Sequence, residues 1–371
     1  MMPQNYELFS WLQNFLLLLH LMKLSVYAFA LSLFLLSCGG SEVTGQKNDL
    51  PDDSVQLRIA VTPTLDCLPV FIANECGVFD AVGLDVNLKR FQAQMDCDTA
   101  IMRGSANAIV TDLVRVQRMK DCGLDLQLVT ATDASWQLLA AKKARISQLR
   151  QLDNKMVAMT RFSATHLLTD KSVDSGKVQP ERVFQIQVND VDVRLNMLQT
   201  EILDALWLPE PQATSARNDR ANVLLDSRTM DIRLGVVAFE RRAATHRQTE
   251  LFKKAYNIAC DSINERGLQA YREIIRTCCN ANDQTVDSLP ELHFAYTASP
   301  READSLRAVK WLRSVRQNYS KPDSVSKAQN KEQKNPRTSN LAPRTLKDTS
   351  HVVPRTSSKL KYSFYVGEQT T

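Results

Sequence analysis

Residues 57–112 carry the most regular pattern in this 371-residue chain, and they constrain its fold more than any other segment. Residues 57–62 alternate as a short strand does, after which a proline takes the backbone out of a sheet. Apolar residues between positions 68 and 79 then recur at helical spacing, with Gly77 suited to the left-handed position that closes a helix. In residues 83–91 the apolar side chains return to every second position. The segment therefore predicts a strand–helix–strand unit.

The same rhythm continues along the chain. Residues 99–103 predict a short helix ended by a glycine, and residues 106–111 predict a third strand that leads into Asp112. Residues 135–141 predict one more strand, leading out of this first unit, and a second α/β series begins at residue 146. Because strand ends in such sheets line a crevice that binds small molecules, we expect a ligand site there.

The net charge of +5 comes from the C-terminal segment. Residues 321–371 hold 10 Lys and Arg against 4 Asp and Glu, which leaves residues 1–320 at −1. The folded part therefore has no basic excess, which argues against a nucleic-acid partner. The same C-terminal segment is rich in Ser, Thr, Lys, Asn, Gln and Pro and has no apolar periodicity. Residues 321–371 are predicted to be a disordered basic tail.

Residues 22–40 have the pattern of a secretory signal. Lys23 precedes an uncharged apolar run, which ends in small residues and a cysteine. Residues 35–38, Leu-Leu-Ser-Cys, resemble the lipobox of bacterial lipoproteins, in which the cysteine is acylated after cleavage. We therefore predict a signal peptide over residues 1–37, with Met22 as an alternative start.

Lipidation of Cys38 predicts a protein of the cell envelope that is anchored to the membrane and faces away from the cytoplasm. Residues 38–56 are mostly polar and would form the linker between the anchor and the folded part. The alternative is a transmembrane helix over residues 11–37.

The eight cysteines show no Cys-x-x-Cys pair and no histidine at zinc spacing. We therefore expect neither a metal site nor a cofactor. Apart from Cys38 seven cysteines remain, an odd number that leaves at least one thiol unpaired. Most are expected to be small buried residues.

Six short motifs follow one another over residues 57–211. They are Leu-Arg-Ile-Ala at 57–60, Leu68-Pro69, Ala73-x-Glu75-x-Gly77-x-Phe79, Gly83-Leu84-Asp85-Val86, Gly104-Ser105-Ala106-Asn107-Ala108 and Trp207-Leu208-Pro209-Glu210-Pro211. Together they resemble the NMT1/THI5-like branch of periplasmic solute-binding proteins, the receptor subunits of ABC importers for sulfonates, taurine, nitrate and thiamine-pyrimidine precursors.

The resemblance implies a type II periplasmic binding protein, an α/β fold with two lobes joined by two crossover strands and a ligand cleft between them. Lobe 1 would comprise residues 57–140 plus 236–320, and lobe 2 residues 141–235. The outgoing crossover would fall near residues 136–142, and residues 232–240 would be the returning strand. The implied protein is a monomeric receptor and not an enzyme, with a small-molecule solute, an ABC permease and its ATPase as partners.

Residues at strand ends, helix N-termini and crossovers are the candidates for the ligand site. They are Thr62, Thr64, Leu65, Asp66, Thr111, Asp112, Trp136, Arg161, Ser163, Thr165, Asn189, Glu210 and Glu240. For residues 160–165 a simpler interpretation stays open, in which Ser163 or Thr165 merely caps a helix and Arg161 lies on the surface.

The candidates leave two ligand classes open. Arg161 with its neighbouring hydroxyls favours an anion such as a sulfonate or nitrate, whereas Asp66, Asp112 and Glu210 favour a ligand with donors, such as an aminopyrimidine. Because of these acidic residues, the sequence slightly favours the pyrimidine precursor.

Two other functions stay open: an enzyme like the pyrimidine synthases of the family, and an envelope lipoprotein that no longer binds solute. The synthases use a cysteine-rich motif, of which this chain offers only Cys278-Cys279.

Overall fold

A computed structural model describes residues 55–319. The predicted signal peptide, Cys38, all but the last two residues of the linker and the tail over 321–371 lie outside the described residues. None of the helices within residues 55–319 has the length and apolar character that crossing a bilayer requires.

The described part contains ten strands in two sheets and eleven α-helices. The strands are β1 (Leu57–Val61), β2 (Val86–Arg90), β3 (Ala108–Asp112), β4 (Leu126–Ala131), β5 (Trp136–Ala140), β6 (Lys155–Met159), β7 (Val183–Gln187), β8 (Ala205–Pro209), β9 (Asn222–Asp226) and β10 (Gly235–Glu240). The helices are α1 (Leu68–Glu75), α2 (Val78–Ala81), α3 (Gln94–Met102), α4 (Leu113–Asp121), α5 (Ala164–Ser175), α6 (Val191–Gln199), α7 (Gln212–Asn218), α8 (His246–Arg266), α9 (Arg272–Cys278), α10 (Asp283–Asp287) and α11 (Glu302–Tyr319).

The two sheets share one topology. The first has the strand order β2-β1-β3-β10-β4 and the second the order β7-β6-β8-β5-β9. In each, three parallel strands are followed by an inserted antiparallel strand, β10 or β5, which comes from the connection to the other sheet. The chain thus crosses between the sheets twice, through residues 132–135 and 227–234. The predicted fold of two α/β lobes joined by two crossovers is confirmed.

The first strand–helix–strand unit matches its prediction, with one refinement. β1 and β2 pair in parallel, with Ile59 opposite Leu88. Gly77 has a φ of +68° and divides the predicted helix into α1 and α2. Because left-handed backbone is unfavourable for residues with a Cβ, glycine is the residue that permits this break.

The strand at residues 136–140 does not belong to the first lobe, contrary to the predicted boundary at residue 140. β5 pairs antiparallel with β8 and with β9, so its backbone hydrogen bonds lie wholly in the second sheet. The crossover itself is the short segment that precedes it. At the returning crossover, a Cβ on Gly235 would overlap the Thr132 hydroxyl and the Ala134 methyl group, so a glycine lets the two connections approach closely.

The helices α8 and α11, both within residues 236–320 predicted for lobe 1, differ in what they contact. α8 packs in the first core, where the Phe252 ring lies 5.1 Å from that of Phe239. In α11, however, Trp311 Nε1 donates to Asp170 of α5 at 2.9 Å, while Arg316 pairs with Asp121 of α4 at 2.5 Å. The last described helix therefore contacts both lobes.

Candidate functional site

Strand ends and helix N-termini from both lobes surround a cavity of about 60 Å³, which we call the cleft cavity. Lobe 1 contributes the carboxyl ends of β1 and β3, and lobe 2 contributes the residues after β6 and the first turns of α5 and α6. Since parallel strands end at a common edge, the topology brings these segments together. The cavity lies at the edge of the sheets where the sequence predicted a ligand site.

Nine of the predicted site residues line the cleft cavity. They are Thr62, Thr64, Asp66, Thr111, Asp112, Trp136, Ser163, Thr165 and Asn189. Their role as ligand contacts stays a prediction.

Two of these residues also cap helices. The Ser163 hydroxyl accepts a hydrogen bond from Thr165 N at 3.2 Å and donates to Thr160 O at 2.6 Å. The Asp112 carboxylate accepts from Arg115 N at 3.0 Å at the start of α4. Capping, the simpler interpretation of the turn at residues 160–165, is therefore present, but it does not remove these side chains from the cavity wall.

Three predicted residues lie elsewhere for local reasons. Arg161 is exposed, in a turn where Phe162 has a φ of +54°, and does not line the cleft cavity. Leu65 and Glu210 line a neighbouring cavity of about 250 Å³. The Glu210 carboxylate is occupied by its own lobe, because it accepts from the backbone and hydroxyl of Thr214 at 2.9 and 2.7 Å and pairs with Arg217 at 2.9 Å.

Glu240 lies at the opposite edge of the first sheet from the cleft cavity. β10 runs antiparallel to β3, with Gly235 opposite Asp112 and Phe239 opposite Ala108. The start of the returning strand therefore reaches the cleft, and its end points away from it. The prediction of Glu240 as a crossover contact assumed the wrong end of the strand.

Eight lining residues were not predicted. They are Gln92, Gln94, Arg115, Thr160, Ala164, Val191, Arg194 and Pro209. Two of them, Arg115 and Arg194, are buried arginines, with 1% and 6% of their surface exposed. Buried guanidinium groups dominate the electrostatics of a small cavity because little water screens them.

The charge of Arg115 is balanced within lobe 1. Its guanidinium group pairs with the buried Asp98 carboxylate and lies 3.4 Å from Asp112. Arg118 contacts the same Asp98 oxygen at 3.0 Å. Two arginines and two aspartates thus form a network with no net charge when all four groups are ionised. Burial raises the pKa of Asp112, and the neighbouring Arg115 opposes that rise.

Arg194 is not balanced in this way. Within residues 55–319, neither its Nε nor its Nη1 atom has a hydrogen-bond partner. Burial and the positive charge of Arg115 lower the pKa of Arg194 to about 10, while Asp190 opposes the change. Arg194 is therefore still cationic at neutral pH. The Thr111 hydroxyl on the facing lobe is a second buried group in the cavity wall without a partner among the described residues.

The sequence contained a signal for Arg194. On α6 the buried residues are Val191, Arg194 and Leu198, which recur at the spacing of one helical face. Arginine is seldom fully buried unless it is paired, so a charged residue on an apolar stripe indicates a special environment. The first turn of a helix that follows a strand is also the place where ligands meet α/β folds.

Comparison with known families identifies the sequence pattern. Residues 64–233 match the family model described as NMT1/THI5 like. The predicted resemblance to the NMT1/THI5-like family is confirmed over these residues. A comparison with curated proteins finds no match.

Solved structures show the same fold as this chain. The periplasmic aliphatic sulphonate binding protein SsuA from Escherichia coli has a TM-score of 0.60 and 15% identity, covering 82% of this chain and 98% of SsuA. The periplasmic nitrate-binding protein NrtA from Synechocystis PCC 6803 has a TM-score of 0.60 and 10% identity, with 76% and 86% covered. The ligand-binding component of an ABC-type import system from Staphylococcus aureus, solved with zinc bound, has a TM-score of 0.60 and 13% identity, with 72% and 94% covered.

Proposed function

We propose that this protein is the solute-binding receptor of an ABC importer and that its solute carries an anionic group held at Arg194. The observation that carries the proposal is a buried guanidinium group, unpaired within the described residues, in a cavity between two lobes. An uncompensated buried charge is unfavourable, and an anion that enters the cavity would supply the missing partner. The fold of the sulphonate- and nitrate-binding proteins supports the receptor role.

An anion fits this cavity better than the aminopyrimidine that the sequence slightly favoured. Of the three acids behind that preference, Glu210 pairs with Arg217, and Asp112 caps α4 and lies beside Arg115. Burial raises the pKa of the third, Asp66, which reduces its tendency to carry a negative charge. Arg194 then remains as a cation without an ion-pair partner among the described residues, available to an anionic solute.

The size of the cavity limits which solutes can bind. The cleft cavity, at about 60 Å³, is smaller than the neighbouring cavity of about 250 Å³. A small anion such as nitrate or a one-carbon sulfonate therefore suits it better than a larger one. Contacts between the lobes already exist, since Leu65 N donates to Glu210 O at 2.8 Å and Asn280 Nδ2 donates to Asp192 at 2.7 Å.

A thermal-shift screen of the full chain purified in detergent tests the proposal. Nitrate, methanesulfonate, taurine and an aminopyrimidine are compared, and we expect the anions to raise the melting temperature. A ligand that binds only the folded state adds about 2.7 kcal/mol at a hundredfold excess over its Kd. A shift with the aminopyrimidine alone would contradict the anion, and no shift with any compound would favour the lipoprotein that does not bind solute.

We further propose that the receptor is anchored through Cys38 and delivers solute to a permease with its ATPase, working as a monomer. The lipobox at residues 35–38 supports the anchor. Cells that produce the wild-type chain should incorporate labelled palmitate into it and retain it in the membrane fraction. Cys38→Ala should do neither, since each buried CH₂ of the acyl chains contributes about 0.8 kcal/mol to attachment. Equal labelling of both chains would exclude Cys38 as the acceptor.

A further inference from the structure

A third cavity, of about 210 Å³, lies apart from the cleft cavity and shares no lining residue with it. We call it the amide cavity, after its polar wall of Gln199, Gln212, Ser215, Asn280, Asn282 and Thr285. One side belongs to α6 and α7 of lobe 2, and the other to the segment that ends α9 and begins α10. A molecule in the amide cavity would contact both sides.

The chemistry of its wall differs from that of the cleft. No ionisable side chain is among the residues that line the amide cavity, whereas the cleft cavity is lined by two arginines and two aspartates. Amides and hydroxyls offer both donors and acceptors, which match the hydroxyl groups of a ligand. A charged ligand would lose its hydration there without meeting an opposite charge.

Gln212 supplies an unused acceptor in this wall. Its side chain is 3% exposed, and Nε2 donates to Pro63 O at 2.9 Å and to Asp192 Oδ1 at 3.1 Å. Because both partners can only accept, the amide cannot be flipped without losing two hydrogen bonds. Its Oε1 atom then has no donor among the described residues. A buried acceptor without a donor is unfavourable by about 1–3 kcal/mol. Oε1 is itself buried, so a ligand hydroxyl reaches it only when the side chains around it move.

We propose that the amide cavity is a binding site for a small uncharged polyol or monosaccharide. Its volume of about 210 Å³ suits a small polyhydroxy compound. The apolar members of the wall, Leu195, Pro211 and Ala281, would face the C–H groups of such a ligand. The site shares no lining residue with the cleft cavity, and its wall spans both lobes.

Titration calorimetry and thermal melting of the full chain in detergent test this site. The probes are erythritol, xylitol and glucose, with glucosamine and glucose 6-phosphate as charged analogues. Ser215→Leu places an apolar side chain in the wall, and Ser288→Leu makes the same change at an exposed serine outside it. Gln199→Ala removes an exposed amide from the wall without disturbing the core.

We expect saturable binding of at least one neutral probe, weakened about tenfold or more by Ser215→Leu and by Gln199→Ala and unchanged by Ser288→Leu. Glucosamine and glucose 6-phosphate, the charged analogues, should each bind about tenfold more weakly than glucose. Polyols also raise melting temperatures by exclusion from protein surfaces, but that rise does not saturate and would be equal in all variants. Such an unsaturable, equal rise would overturn the proposal, as would equal binding of the charged analogues. Circular dichroism confirms folding of each variant, and Gln199→Ala decides the outcome if Ser215→Leu does not fold.

Discussion

Arg194→Ala is expected to weaken anion binding by about 10- to 100-fold. A hydrogen bond to a charged group contributes about 1.5–3 kcal/mol, and about 1.4 kcal/mol corresponds to a factor of ten in Kd. The ligand-free protein should not lose stability through the lost charge, because Nε and Nη1 of Arg194 have no partner within the described residues and the buried charge itself is unfavourable. Titration calorimetry with the anion found in the screen measures the affinity, and thermal melting without ligand measures the stability.

Arg161→Ala is the matched control for this experiment. Both residues are arginines of lobe 2 near helix N-termini, but Arg161 is exposed and does not line the cleft cavity. Its removal should leave the affinity within about twofold, since exposed charges contribute little. Arg194→Lys keeps the charge but not the planar fork, so it should have an intermediate affinity. If Arg161→Ala lost much of its affinity for the anion and Arg194→Ala kept its affinity, Arg161 would be the residue that contacts the anion, as the sequence predicted.

The regular part of the fold could be predicted because its signals are local. The strand, helix and strand over residues 57–91 each show a periodicity that depends only on neighbouring residues, and the structure places β1, α1, α2 and β2 there. The lobe to which a strand belongs is not a local property. Residues 136–140 were recognised as a strand, but their partners β8 and β9 lie more than 60 residues further along the chain. Sequence spacing alone could not show that pairing.

The limits of site prediction have similar causes. Thr62, Thr111 and Ser163 could be found because each follows a strand, and strand ends share an edge. Glu240 also lies at a strand end, but β10 is antiparallel to β3, so this end lies at the edge away from the cleft. Glu210 does reach the interface between the lobes, where Leu65 N contacts its carbonyl group, but its carboxylate is used within lobe 2. Such competition for a side chain depends on packing that a linear pattern does not contain.

The buried face of a helix is also only partly predictable from its sequence. Leu251, Ala255, Ile258 and Ala259 of α8 have the spacing of one helical stripe, and the two alanines are fully buried. Ile258 is 40% exposed, because the buried face of α8 is centred on Phe252, Ala255 and Tyr256. Helical periodicity predicts that a buried face exists, whereas the neighbouring helix and sheet decide its orientation.

Asp98→Asn is expected to destabilise the protein by about 3–5 kcal/mol, the range measured when one partner of a buried ion pair is removed. Asp98 is 1% exposed, and one of its oxygens contacts both Arg115 and Arg118. The variant leaves the buried Arg115 with Asp112 at 3.4 Å as its remaining ion pair among the described residues. For a domain of this size about 1 kcal/mol changes the melting temperature by about 2–4 °C, so thermal melting should show a decrease of roughly 6–20 °C.

Two comparisons separate the buried charge from general effects of substitution. Glu75→Gln removes the partner of Arg90 in a pair whose side chains are 46% and 38% exposed, so we expect a loss of at most about 1 kcal/mol. Adding Arg115→Gln to Asp98→Asn removes the uncompensated charge and should recover part of the lost stability, a coupling that independent substitutions would not show. If Asp98→Asn melted together with Glu75→Gln, the network would not stabilise lobe 1. The charge of Arg115 would then require a partner other than Asp98, and the assignment of Arg194 as the unbalanced charge of the cleft would lose its main support.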